Sequence, residues 1–261
     1  SGDKFGTIVT AIDLKIDRRS HDVVEAKADN VIVRTDGFAK DPEQTALIAS
    51  YEKVAGPLIE RPVGRITASL TREETPAGES LLGDVVADAQ WEATRASDKG
   101  GAAFAVTNTG GLRTDIPKRG EDGHVTYGDV FAAQPFGNNL VTVTLSGAEI
   151  EMLLEQQWLD QPKPRILQVS RGFSYTWDAA RPVGERVDPA SITIDGEPVD
   201  PGGSYRVTIS NFLADGGDGF KILRKGRDPL PGIFDVDALE LHLAAAGNFV
   251  PPERGRIKRV N

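Results

Sequence analysis

The stretch Asn211 to Phe220 reads Asn-Phe-Leu-Ala-Asp-Gly-Gly-Asp-Gly-Phe and concentrates residue types suited to a polar ligand. Gly216, Gly217 and Gly219 free the backbone to take positive φ and let another group approach it closely. Asp218, set between glycines, can accept two hydrogen bonds of the kind a vicinal diol offers. Phe212 can lay its ring against a planar base. Taken alone, the stretch reads equally well as a tight turn over a buried phenylalanine. A calcium loop through Asp215 and Asp218 lacks the run of oxygen ligands and the distal Glu of an EF-hand.

Two further loops carry complementary groups. Asn108-Thr109-Gly110-Gly111-Leu112-Arg113 follows the short apolar run Phe104 to Thr107, so a strand empties into a glycine-rich turn bearing an amide and a guanidinium. The forked donors of Arg113 suit phosphate oxygens. Gln134-Pro135-Phe136-Gly137-Asn138-Asn139 supplies a second ring. Singly, each Phe reads as core and Arg113 as a surface ion pair. Jointly, the three loops favour a nucleoside site.

No hydrolytic set accompanies them. A two-metal phosphoesterase needs several His and Asp ligands in close motifs. His21, His124 and His242 stand in no Asp-x-His, Asn-His-Asp/Glu or Gly-His-x-His arrangement, and read as surface or structural residues. No Gly-x-Ser-x-Gly elbow, Walker loop or cysteine pair is present. The expectation is binding without catalytic or metal-ligating residues.

The 261 residues can form one large domain or two smaller ones, and 26% charged with 39% hydrophobic residues is a globular composition. A net charge of -9 argues against a polyanion such as duplex DNA, though not against a small anion held by arginine. The absence of cysteine excludes disulfides and thiolate chemistry. No apolar run approaches the ~18 residues of a membrane span. The chain opens Ser1-Gly2-Asp3 without an initiator methionine, as at a cloning scar or a cut edge, so a signal peptide or upstream domain is expected to lie outside it.

Periodicity places the supporting elements. Thr7 to Ile16 reads as a half-buried strand and Val31 to Arg34 as a second, too little for a domain. Asp41 caps a connector helix that Gly56-Pro57 should stop. Val63 to Leu70 is strand-like. A helix over Ser80 to Thr94 turns Leu81, Leu82, Val85, Val86 and Ala89 to the core, with Asp84, Asp88, Gln90 and Glu92 largely opposite. Thr126 caps a short helix, Leu140 to Leu145 is a strand, and Ser146 with Glu149 forms a capping box for a helix carrying Ile150, Leu153, Leu154 and Trp158. Strands follow at Phe173 to Trp177, Ile192 to Ile194 and Tyr205 to Ile209. Asp235 caps a last helix through Ala246, and Arg256 to Val260 closes the chain.

The three loops, together with Gly78-Glu79-Ser80-Leu81-Leu82-Gly83-Asp84 and Gly184-Glu185-Arg186-Val187, occur in an order that resembles the C-terminal domain of the 5'-nucleotidase family. The resemblance implies an α+β fold of helices layered on sheets over residues 61 to 261, a linker helix at 41 to 60, and at 1 to 40 the last strands of an upstream metallophosphatase domain. It implies that Phe136 and Phe212 sandwich a base and that Asp218 accepts from ribose hydroxyls. Asn108 and Arg113 would hold the sugar and phosphate side, Gly110 and Gly111 would allow close backbone approach, and Asn138 would reach the base edge. A further family arginine falls at Gly78 here, with Arg72 the nearest basic residue. Two divalent metal ions are implied for the upstream domain, with an exported or surface-bound location. Nucleotidase, UDP-sugar hydrolase and cyclic phosphodiesterase members share these loops. A non-enzymatic nucleoside-binding module is the competing reading.

Overall fold

The computed structural model describes Asp3 and residues 6 to 261. The chain divides into two units after Gly56. In the first, β1 (Ile8–Ile16) and β2 (Val23–Ile32) form an antiparallel pair running from Ile8 opposite Ile32 to Ile16 opposite Val23. The expected half-burial of β1 is not met: Ile12, Leu14 and Ile16 are all more than half exposed, since within this unit a two-stranded sheet has no second layer. β2 begins at Val23 rather than Val31, because Glu25, Lys27, Asp29 and Asn30 hide its pattern.

Asp41 caps α1 (Pro42–Ile59) by accepting from the Gln44 amide at 2.9 Å. The helix runs through Gly56-Pro57 instead of stopping there. Pro57 lies in the last turn, so it removes a single intrahelical bond near an end that frays in any case.

The second unit follows as β3 (Pro62–Ile66), α2 (Leu81–Thr94), β4 (Phe104–Asn108), β5 (His124–Thr126), α3 (Tyr127–Ala133), β6 (Asn139–Ser146), α4 (Gly147–Glu155) and β7 (Leu167–Val169). It continues with β8 (Phe173–Asp178), β9 (Thr193–Ile194), β10 (Glu197–Pro198), β11 (Ser204–Ser210), α5 (Asn211–Ala214), β12 (Arg227–Phe234), α6 (Asp235–Ala246), β13 (Asn248–Phe249) and β14 (Ile257–Val260). These form a mixed α and β architecture with sheets ordered β12-β6-β11-β4-β7, β10-β9-β8-β14 and β13-β3-β5.

Register in the five-stranded sheet decides where the loops go. β11 runs antiparallel to β6, with Ser210 opposite Leu140, and parallel to β4, with Val207 opposite Phe104. The end of β4, the end of β11 and the start of β6 therefore share one edge. Asn108, Asn211 and Asn139 leave the sheet side by side, bringing together loops that are far apart in sequence.

One core lies between the larger sheets, where Phe104 stacks on Phe173 at 4.2 Å between centroids and Trp158 meets Trp177 at 5.0 Å. A second core joins α2 and α6 to β3 through Leu82, Val85, Val86, Leu239, Leu243 and Ile66. Packed on two sides, α2 has no polar outer face over most of its length. Asp84, Asp88 and Gln90 are buried rather than opposite the core. Asp88 accepts from both terminal nitrogens of Arg256, at 2.7 and 2.8 Å, and from the Arg171 amide at 2.6 Å.

Other boundaries shift for local reasons. β3 ends at Ile66, and Leu70 only bridges Ile116. Trp158 lies beyond α4 but stays buried. Asp235 is the first residue of α6, not its cap, and accepts from the Val236 amide and from Asn138. β12 carries Pro229 and Pro231, which hide it from a strand pattern and suit its place at the sheet edge. No helix among the described residues is long and apolar enough to cross a membrane.

Candidate nucleoside-binding site

The three loops converge on a cleft of about 330 Å³. Its lining contains all eight residues singled out from the sequence, together with Arg165. Such a volume falls in the range of small-ligand sites.

β4 delivers Asn108 to the rim, and its Nδ2 donates to Asp218 Oδ2 at 2.7 Å. Gly110 is needed just beyond: a Cβ there would stand 3.2 Å from Asn108 Nδ2 and 3.3 Å from Asp218 Oδ2, crowding that bond. Arg113 is anchored by its amide on Ala133 O at 2.9 Å, and its guanidinium lies 5.6 Å from the centre of the Phe136 ring. Only Gly110 O, at 3.3 Å, accepts from its side chain among the described residues. Its donors remain available for an anion.

β11 ends in α5, capped by Ser210 Oγ accepting from the Leu213 amide at 3.3 Å. The chain then turns through Gly216, with φ 78°, and Asp218, with φ 54°. The strain of a left-handed aspartate is held by its neighbours. Gln161 Nε2 donates to Asp218 O at 2.8 Å, and Arg165 Nη1 donates to Oδ1. Gly217 is obligatory, because a Cβ would lie 2.5 Å from two ring carbons of Phe212.

Phe136 is 56% exposed and Phe212 42%, whereas Phe220, eight residues after Phe212, is fully buried. The two cleft rings are thus not core residues, and both expose ring surface at the cleft, with the Arg113 guanidinium over the Phe136 ring. Asn138 donates to Asp235 Oδ2 at 3.0 Å, which fixes its amide at the rim. Burial pushes the Asp235 carboxyl above the usual range, against the opposing Asn138 hydrogen bond.

Residues 62–225 match the family described as 5'-nucleotidase, C-terminal domain. The chain belongs to this 5'-nucleotidase family. It is 29% identical over 258 residues to Endonuclease YhcR of Bacillus subtilis, covering 98% of this chain and 20% of that protein. Cell wall protein Lmo0130 of Listeria monocytogenes is 31% identical over 223 residues, covering 81% of this chain and 28% of the relative. The crystal structure of a 5'-nucleotidase precursor from Thermus thermophilus superposes with a TM-score of 0.75 at 29% identity, over 98% of this chain and 50% of that one. The chain therefore spans only a fifth to a half of these proteins.

Two of the motifs are structural within the 5'-nucleotidase domain. Gly78, with φ 89°, packs under Ile166 and accepts from Gln168 Nε2 at 2.8 Å, while Glu79 accepts from the Gly255 and Arg256 amides. Gly184 and Val187 donate their amides to Glu155. Arg72 pairs with Asp115 at 3.1 Å and does not line the cleft.

Arg165 was not legible as a site residue. It comes from the loop between α4 and β7, and Lys163-Pro164-Arg165 carries no local signal. Only the fold brings it to Asp218.

The metal ions implied for the family find no fit here. Among the described residues no group of three or more His, Asp or Glu side chains is arranged to hold one. His124 lies 3.4 Å from Asp122 and His242 is 2.6 Å from Glu92, each on its own element, and His21 sits in the β1–β2 turn.

Proposed function

We propose that this chain is the substrate-recognition part of a 5'-nucleotidase-type hydrolase, clamping the base and ribose of a nucleotide. Phe136 and Phe212 sandwich the base, Asp218 accepts from the ribose hydroxyls, and Asn108 and Arg113 hold the sugar and phosphate side. Asn138 reads the base edge, and Gly110 and Gly111 allow the sugar close to the backbone. One observation carries the reading: two half-exposed rings line the same small cleft as a carboxylate and a guanidinium that pairs with no carboxylate among the described residues. Water-exposed rings gain most by stacking, and a base offers a π-face whatever its identity.

Cleavage of the phosphate ester belongs, on this reading, to an upstream metallophosphatase domain with two divalent metals. The matched cell wall protein supports an exported or surface location.

Calorimetric titration with adenosine, AMP and UDP-glucose, read alongside phosphate release in added Mn²⁺, tests both parts. Saturable binding without release is expected, and Phe212→Ala should weaken it by about 1 to 3 kcal/mol, roughly 5- to 150-fold. Unchanged binding by Phe212→Ala would overturn the stacking role, and turnover above buffer would overturn the division of labour.

A further inference from the structure

The charged residues lining the cleft are Arg113, Arg165 and Asp218. Asp218 is only 18% exposed at its side chain, and an anionic nucleotide must approach it. A bare carboxylate in that position would repel the phosphate of the ligand whose sugar it holds. Arg165 removes the conflict by pairing with Oδ1, while Asn108 takes Oδ2.

Holding the turn does not by itself require this charge. Gln161, from the same loop as Arg165, already anchors the Asp218 carbonyl with a neutral amide at 2.8 Å. Arg165 also bears a cost that a purely structural side chain would avoid: its Nε is buried with no acceptor among the described residues. With Asp218 neutralised by Arg165, Arg113 pairs with no carboxylate among the described residues.

We propose that Arg165 is a specificity-determining residue: by neutralising Asp218 it lets the cleft prefer a phosphate-bearing nucleotide over the uncharged nucleoside. This rests on the nucleotide-clamp reading. It predicts a loss on mutation that depends on ligand charge, whereas a merely structural residue would weaken all ligands alike.

The test is calorimetry of the whole chain with adenosine, AMP and ADP, for wild type, Arg165→Gln and Arg165→Lys. Arg165→Gln should weaken AMP about 10-fold more than it weakens adenosine, and ADP more again. Arg165→Lys keeps the charge and should restore most of the AMP preference. Raising the salt should shrink the wild-type preference and leave that of Arg165→Gln nearly unchanged. Equal losses for all three ligands, or a lysine variant no better than glutamine, would overturn the proposal while leaving the clamp intact. Failure of every ligand to bind wild type would overturn the clamp itself and this proposal with it.

Discussion

Arg256→Met is expected to destabilise the second unit by about 3 to 5 kcal/mol, the cost of leaving a buried charge without its partner. Arg256 and Asp88 are 11% and 7% exposed at their side chains and form a two-pronged pair. The same guanidinium donates to Val169 O at 2.8 Å. It therefore ties the start of β14 to both α2 and β7. Methionine fills similar volume but leaves Asp88 with only the Arg171 amide. Urea unfolding followed by tryptophan fluorescence measures the loss, since Trp91, Trp158 and Trp177 all lie in the second unit. Adding Asp88→Asn should recover most of the stability, because it removes the unpaired charge and keeps an oxygen for the Arg171 amide. A loss under about 1 kcal/mol for the single variant would show that the pair is solvated and the account of α2 is wrong.

Asp84→Asn should do the opposite, and increasingly so as pH rises. Asp84 is fully buried, and among the described residues no N–H or hydroxyl donates to either carboxyl oxygen. Burial pushes its carboxyl up to about 8, with Arg256 opposing and the nearby Glu79 and Asp88 charges adding to the rise. The folded chain thus holds a proton that the unfolded chain releases near pH 4. A raised folded pKa gives stability that is present in full below the unfolded value. That stability is lost as pH climbs toward about 8, by at most about 1.4 kcal/mol per pH unit. Asparagine keeps the shape and cannot ionise. Its advantage over wild type should grow by on the order of 3 kcal/mol between pH 5 and 8. Urea midpoints at four pH values in that interval decide it. Parallel curves for the two proteins would mean that Asp84 is already ionised at low pH and the buried acid is misassigned.

The three loops of the cleft were legible because their chemistry is local. Gly216, Gly217 and Gly219 announce a turn, and Phe212 and Asp218 stand on it wherever the turn is placed. The helix caps at Asp41, Thr126 and Ser146 were legible for the same reason, each being a contact within three residues. What stayed hidden depends on packing between distant segments. Asp84 and Asp88 read as a solvated face because helical spacing cannot reveal that α2 is covered on two sides. Pro229 and Pro231 masked β12, whose edge position tolerates them. Arg165 reaches Asp218 across 53 residues of chain, a distance no motif bridges. β1 failed differently: its alternation is genuine, but its apolar side chains remain exposed within the hairpin unit.

The ring resonances of the ten phenylalanines test the clamp most directly. With ¹³C-labelled phenylalanine, titration of the chain with AMP should shift the rings of Phe136 and Phe212 through the ring current of a stacked base, saturating together. Buried Phe104, Phe173 and Phe220 should stay in place. Saturable binding of AMP with no shift at Phe136 or Phe212 would contradict the account, because the nucleotide would then be held somewhere other than between these rings.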